Sequence, residues 1–192
     1  DDLAEKLRSM RDHGAIMSDY QRHHGSKPYL LSEYPYAGYN YRLTDIQASI
    51  GTTQMDRAEE IIDERRKIAK KYNDELSKFN FFQLPFDGDI YSNSYQSYPC
   101  IFDIKNTSIK NIQEVNSNRN NFMDILQKEG ISTRPATHSV HMLSYYRKKY
   151  NLNPEDYPNS YIANECSISF PLFNGLKESE QNYVIQTIKN NL

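Results

Sequence analysis

The chain has 192 residues, 38% hydrophobic and 25% charged, with 23 basic against 25 acidic side chains and a net charge of −2. This length supports one sizeable core, or a small domain with a piece of another, and the balanced charge excludes a strong electrostatic attraction to nucleic acid or to a membrane surface. No apolar run approaches the ~20 residues that span a bilayer, and the opening Asp1-Asp2-Leu3 lacks signal-peptide character, so a cytoplasmic protein is expected.

The spacing of Leu3, Leu7 and Met10 predicts a helix from Asp2 to Arg11, and the chain is expected to start within a fold, as a fragment or truncated product would. His13-Gly14 is the expected stop of that helix. From Ser18 to Tyr36 a polar, aromatic stretch with His23, His24, Gly25, Pro28 and Pro35 reads as a long ordered arm. The tract Gly38-Tyr39-Asn40-Tyr41-Arg42-Leu43-Thr44-Asp45-Ile46-Gln47 follows. Gly38 tolerates backbone angles closed to other residues, Asn40 and Arg42 supply donors, and Thr44 with Gln47 fits a capping box that opens a helix. A phosphate suits such donors at a helix start. The alternative reading is an ordinary turn, with Arg42 paired to a surface carboxylate.

The helix opened by Thr44 is expected to run to about Phe79, with a break at Gly51 and a joint near Asp56. Ile61, Ile68, Tyr72 and Leu76 form its apolar face, and Asp63-Glu64-Arg65-Arg66-Lys67 with Lys70-Lys71 a solvated, mixed-charge face. A nucleic-acid reading of Arg65-Arg66-Lys67 is weak, because Asp63 and Glu64 balance the run. Alternation from Tyr98 to Ile104 predicts a strand. Asn118 to Glu129 reads as a helix with Phe122, Ile125 and Leu126 inward and Gly130 past its end. After an extended piece, Ile131 to Pro135, helices are expected at Leu143 to Tyr150 and Pro158 to Glu165, then a strand from Ser167 to Phe170. Glu178 to Leu192 reads as a terminal amphipathic helix, with Tyr183, Val184 and Ile188 inward. Helices alternating with isolated strands imply an α/β or α+β layer fold.

Few side chains carry chemistry by pattern alone. Cys100 and Cys166 lie far apart and fit reduced, buried thiols better than a disulfide framework or a zinc site. His138 and His141 stand three apart but lack nearby carboxylate or cysteine partners, so no metal site is expected. G-x-S-x-G, Walker-type and G-x-G-x-x-G signatures are absent. Sixteen tyrosines and no tryptophan suit a surface that packs on another subunit or a polar ligand while keeping hydrogen bonds. Polar clusters at Asn40 to Arg42 and at Arg134 to His141 suit the completion of a site made elsewhere.

Taken in order, Arg11-Asp12-His13-Gly14, the tract from Gly38 through Gly51 with Gln54, and Arg65 with Ala69 and Tyr72 resemble the second half of the DegT/DnrJ/EryC1/StrS sugar aminotransferases. Gly130-Ile131-Ser132-Thr133-Arg134-Pro135, His141 before Tyr145-Tyr146, Tyr157-Pro158 and Ser169-Phe170-Pro171-Leu172 resemble the same family's closing domain. The resemblance covers essentially the whole chain. The arm from Asp19 to Tyr34 further resembles the perosamine synthase-like members.

The resemblance implies an α/β fold, the C-terminal part of a fold type I transferase dependent on pyridoxal 5'-phosphate (PLP). In it a long linking helix precedes a small α+β domain with a short, mainly antiparallel sheet. Residues 1–60 would be the end of the large PLP-binding domain with an interface arm, and residues 61–192 the small domain. The implied activity moves an amino group from an amino acid, glutamate in most members, through PLP to a keto sugar nucleotide, in cell-surface polysaccharide or related sugar biosynthesis. A homodimer with shared active sites is implied. Asn40 and Arg42 match positions that reach the phosphate of the neighbouring subunit's PLP. His141, His138 and Arg134, with Tyr39 and His13, match the substrate mouth. The lysine that holds PLP as a Schiff base belongs to a stretch preceding Asp1 in the family order, and Lys6 lies beyond it, so no catalytic residue and no transamination are expected of this chain alone. A non-catalytic dimerisation module of the same fold, or part of a PLP-dependent sugar dehydratase with histidine for that lysine, stands as the alternative.

Overall fold

The structure, a computed structural model, describes residues 1–16, 33–88 and 90–192. The arm expected from Asp19 to Tyr34, with His23 and His24, therefore lies outside the described residues up to residue 32. Two compact units are present, residues 1–57 and residues 58–192.

In the first unit, helix α1 (Asp2–Arg11) starts where the Asp1 carboxylate accepts from Leu3 N–H at 3.2 Å, with Asp2 and Glu5 in the first turn and Arg8 and Arg11 in the last. Those charges complement the helix dipole. The expected stop is where the sequence puts it. His13 and Gly14 take φ of 59° and 81°, and Gly14 N–H donates to Ser9 C=O at 2.8 Å, closing the last turn. The chain then comes back beside this end as Tyr39 N–H donates to Met10 C=O (2.7 Å) and Tyr41 N–H to Arg11 C=O (2.9 Å), with Asp12 and Asn40 bridged antiparallel.

Helix α2 (Asp45–Met55) carries the expected capping box: Gln47 N–H donates to Thr44 Oγ1 at 3.3 Å, and Thr44 N–H to Gln47 Oε1 at 3.2 Å. The expected break at Gly51 does not occur. The helix runs through it, and a glycine inside a helix costs only about 1 kcal/mol relative to alanine, too little to interrupt a capped helix.

The second unit begins with α3 (Ala58–Leu76), extended by a 3₁₀ turn at Ser77–Phe79. Ile68, Ala69, Tyr72 and Leu76 are buried, as the spacing requires. Its sheet is formed by β1 (Tyr98–Ile101) and β2 (Ser167–Phe170), antiparallel, with Tyr98 opposite Phe170 and Ile101 opposite Ser167. Isolated bridges Gln83–Ile101 and Arg134–Ser169 add one residue pair on each outer side. β1 stops at Ile101 rather than Ile104 because Asp103 turns the chain with φ of 47°.

Helix α4 (Ile112–Lys128) begins earlier than Asn118. Its Asn- and Ser-rich opening has loop propensity, but burial of Ile112 and Val115 overrides it. Gly130, with φ of 75°, and Ile131 N–H donating to Leu126 C=O at 2.8 Å close this helix. Next come α5 (Ser144–Tyr150), α6 (Pro158–Cys166) and α7 (Glu178–Asn190). Two inward assignments fail: Ile125 is 37% and Tyr183 49% exposed. Phe122 and Leu126, one turn apart, already fill the buried stripe of α4, and Tyr183 turns its hydroxyl to Glu129 C=O at 3.1 Å.

The charge run on α3 also departs from a purely solvated face. Arg65 Nε donates to Asn174 Oδ1 at 2.8 Å and its Nη1 to the Tyr95 and Gln96 carbonyls at 3.0 Å, while Glu64 accepts from Gly175 N–H at 2.7 Å. Neighbouring charges on one helix turn thus hold two separate loops. In the core, Tyr72 and Tyr98 lie 4.9 Å apart between ring centres, and Phe82, Phe102, Phe122 and Phe170 pack together. Buried tyrosine hydroxyls need partners. Tyr72 donates to Pro171 C=O at 2.9 Å and Tyr98 to Asn73 Oδ1 at 2.5 Å. Cys100 and Cys166 are free and buried, and burial pushes the Cys166 thiol up to about 11.

Candidate functional site

Tyr39, Asn40 and Arg42 lie on the segment that returns past the end of α1, which aligns successive side chains beside Asp12 and His13. Arg42 Nη1 donates to Asp12 Oδ1 at 3.1 Å and Nε to Asn40 Oδ1 at 3.2 Å. The Arg42 side chain is 47% exposed and that of Asp12 18%, so the ion pair has its carboxylate inside and its cation toward solvent. Because Asn40 commits its oxygen to Arg42, its amide hydrogens are what it can offer an anion. His13 N–H donates to Tyr39 C=O at 2.8 Å, and the rings of Tyr39 and Tyr41 stack at 5.0 Å, both exposed.

Two glycines make this arrangement sterically feasible. A Cβ on Gly38 would fall 2.1 Å from Gly14 N, and one on Gly14 would fall 1.9 Å from Tyr36 O. Backbone crosses backbone here, which only the smallest residue allows. Asp12 is the residue that reasoning from the sequence passed over. It stood in the motif Arg11-Asp12-His13-Gly14, but its distance from Arg42 in the chain hid the pairing.

The second cluster belongs to the other unit. His141 sits on a 3₁₀ turn, Val140–Met142, and is 7% exposed, whereas His138 and Arg134 are exposed. Arg134 Nη1 donates to Thr133 C=O at 2.8 Å, and its backbone pairs with Ser169. His141 Nδ1 lies 2.8 Å from Ser139 Oγ, which lies 3.3 Å from Ser160 Oγ. Asn164 Oδ1 accepts from Ser139 N–H at 2.9 Å, and Asn164 in turn donates to Glu165 Oε1 at 2.7 Å. The opposite ring nitrogen, His141 Nε2, is buried without a hydrogen-bond partner. With Ser139 as donor to Nδ1, the ring proton sits on Nε2, a donor awaiting an acceptor. The ring of Tyr157 lies 5.0 Å from that of His141. Neither Ser139 nor Ser160 stood out in the sequence, since single serines in a turn and a helix carry no pattern.

His138 and His141 thus have opposite surroundings and do not form a pair. Among the described residues no group of three or more His, Cys, Asp or Glu side chains is placed to hold a metal ion, and no helix is long and apolar enough to cross a membrane. An amide with a guanidinium beside a capped helix start is a donor set that fits a phosphate such as that of PLP.

Comparison with known proteins agrees with these features. MJ1066, an uncharacterized protein of Methanocaldococcus jannaschii, is 30% identical over 191 residues, which cover 98% of this chain and 47% of that protein. The sugar aminotransferase CalS13 from Micromonospora echinospora superposes with a TM-score of 0.73 at 22% identity, covering 100% of this chain and 45% of its own. Spr1654 from Streptococcus pneumoniae, solved in PLP and PMP forms, gives 0.76 in the PMP form at 21% identity, over 99% of this chain and 45% of its own. This chain therefore spans about half the length of the relatives it matches. With residues 1–189 matching the DegT/DnrJ/EryC1/StrS aminotransferase family, the chain belongs to that family.

Proposed function

We propose that this chain forms the C-terminal half of a PLP-dependent sugar aminotransferase, acting as a homodimer in which Asn40 and Arg42 reach the phosphate of the neighbouring subunit's cofactor. The observation that carries this reading is the Arg42 cluster. Asp12 and Asn40 hold the guanidinium at the mouth of a capped helix, in a chain whose family is that of the sugar aminotransferases. Bound PLP supplies an electron sink that lets an amino group pass from an amino acid, here glutamate, to a keto sugar nucleotide. Residues 1–57 would end the large domain that holds the cofactor, and residues 58–192 would be the small domain.

On this reading the chain's own residues bind and orient, and none moves the reacting proton. Arg42 and Asn40 anchor the phosphate, so that the cofactor ring is fixed before the substrate arrives. Tyr39 and His13 flank that anchor. His141 offers Nε2–H to an oxygen of the substrate, and Arg134 and His138 add positive charge and hydrogen-bond donors from the exposed segment before it. The chain alone lacks the lysine that anchors PLP and does not transaminate.

The test joins this chain to a family half bearing that lysine and compares PLP retention in Arg42→Ala with the parent. Loss of a charge-assisted contact weakens PLP by about 1.5 to 3 kcal/mol. Unchanged PLP affinity removes the phosphate role and leaves Arg42 as the partner of Asp12 only, the arrangement of a non-catalytic assembly module.

A further inference from the structure

We infer that α5 and the cleft beside His141 hold the nucleoside diphosphate portion of the sugar nucleotide, an assignment that rests on the aminotransferase reading above. Three independent features of one segment carry it.

The first is charge. Between Glu129 and Glu155 the sequence has no carboxylate side chain, yet it carries Arg134, Arg147, Lys148 and Lys149, in a chain whose net charge is −2. Positive charge is therefore concentrated locally rather than spread over the surface, and an anion is its natural complement.

The second is aromatic surface on the same helix. No residue of α5 is buried, and Tyr145 and Tyr150 are 64% and 57% exposed. Lys149 Nζ lies 5.3 Å from the centre of each of these rings and donates to Tyr145 Oη at 3.2 Å. The rings of Tyr146 and Tyr150 are close to parallel, 10° apart in plane. Rings held beside a cation in water offer stacking faces next to a charge.

The third is the cleft, about 300 Å³, lined by Val140, His141, Tyr146, Leu152, Tyr157 and Ser160. Two of its walls are aromatic, and its one deeply buried polar group, His141, leaves Nε2 without a partner. A planar heterocycle with exocyclic oxygens meets both conditions.

Together these features select the ligand class. An amino-acid donor has an anionic end but, in glutamate, no ring for the tyrosines, and a free sugar has neither ring nor charge. A nucleoside diphosphate has a flat base for the cleft and two phosphates for Arg147, Lys148 and Lys149. On this assignment α5 selects for the nucleotide handle, and the chemistry takes place at the far end of the same substrate.

The experiment is isothermal titration of the 192-residue chain with UDP and with GDP, using uridine and inorganic pyrophosphate as separate arms. One nucleotide is expected to bind at least about tenfold tighter than uridine or pyrophosphate, because only it engages both the rings and the cations. Tyr146→Ala should weaken that nucleotide by about fivefold or more, with Tyr146→Phe restoring it, and should leave pyrophosphate unchanged. The double variant Arg147→Gln/Lys149→Gln should weaken the nucleotide and pyrophosphate and flatten their salt dependence, but spare uridine. Urea unfolding of each variant checks that the fold is intact. Failure of both nucleotides to bind, or binding unchanged in both variants, overturns the assignment. Cofactor retention is not read in this titration, so its failure leaves the aminotransferase reading standing, and loss of the Arg42 role leaves the nucleotide result standing.

Discussion

Replacing Arg65 by alanine removes the donor that joins two loops to α3, and the structure sets the size of the effect. Three acceptors lose their partner: Asn174 Oδ1 at 2.8 Å, and the carbonyls of Tyr95 and Gln96 at 3.0 Å. Hydrogen bonds to a charged group contribute about 1.5 to 3 kcal/mol each when well formed. They are not additive, and the Gln96 carbonyl is reached from an exposed side, so about 2 to 4 kcal/mol in total is the expected loss. Arg65→Lys should recover only part of this, because an ammonium cannot place parallel donors as a guanidinium fork does. The double-mutant cycle with Asn174→Ala should show a coupling of about 1 to 2 kcal/mol, since the two side chains share a bond and Asn174 also donates to Ile61 C=O at 3.0 Å. Urea unfolding followed by far-UV circular dichroism measures both quantities, and tyrosine fluorescence gives a second probe in a chain without tryptophan. A change of less than about 0.5 kcal/mol in Arg65→Ala would refute the reasoning and return the run to the class of solvated surface charge.

Two further outcomes follow from named contacts. Glu75 lies between Lys78 at 2.7 Å and Lys189 at 2.5 Å, and hydrogen bonds from Lys189, then Lys78, bring its carboxyl down to about 2 from 4.5. A depressed folded-state pKa adds stability that is present above pH 4.5 and is lost as pH falls toward 2; acid unfolding of Glu75→Gln should lack that part of the slope, and an unchanged acid limb would contradict the pairing. Gly38→Ala drives a Cβ to 2.1 Å from Gly14 N, so the crossing of the two segments must open at a cost of roughly 3 kcal/mol. Protection of Tyr39 and Tyr41 amides from hydrogen exchange should fall with it, and retained protection would show that the crossing tolerates a methyl group.

What the sequence reveals depends on how local the cause is. The Thr44–Gln47 capping box, the stop at His13-Gly14 and the strand Ser167–Phe170 were legible, because each is set by residues a few positions apart. The start of α4 was not, since burial of Ile112 and Val115 against elements distant in sequence outweighs the Asn- and Ser-rich composition around them. The same holds for charge. Glu64 and Arg65 read as solvent-facing by periodicity, and only the arrival of Asn174 and Gly175, more than a hundred positions later, turns them inward. At the candidate site the donors Asn40 and Arg42 were visible as chemistry, but the counter-charge Asp12 was not, and neither was the serine that holds the His141 ring.

The pairing with Asp12 bears directly on how well Arg42 can hold a phosphate. An ion pair near the surface contributes on the order of 1 kcal/mol or less, so Asp12 alone orients the guanidinium without fixing it. The helix that follows gives little further restraint. α2 is capped, yet none of its residues is buried, and Ile46, Ile50 and Met55 are 77%, 60% and 72% exposed. Helices draw most of their stability from packing an apolar face, and this one has its face in water. Covering that face by the proposed second subunit would remove apolar area from water at about 25 cal/mol per Å². The same contact would stiffen the helix whose first turn follows Arg42. Subunit association and phosphate binding would then be linked, each raising the other's affinity, because both draw on one rigid placement of the Asn40 to Thr44 segment.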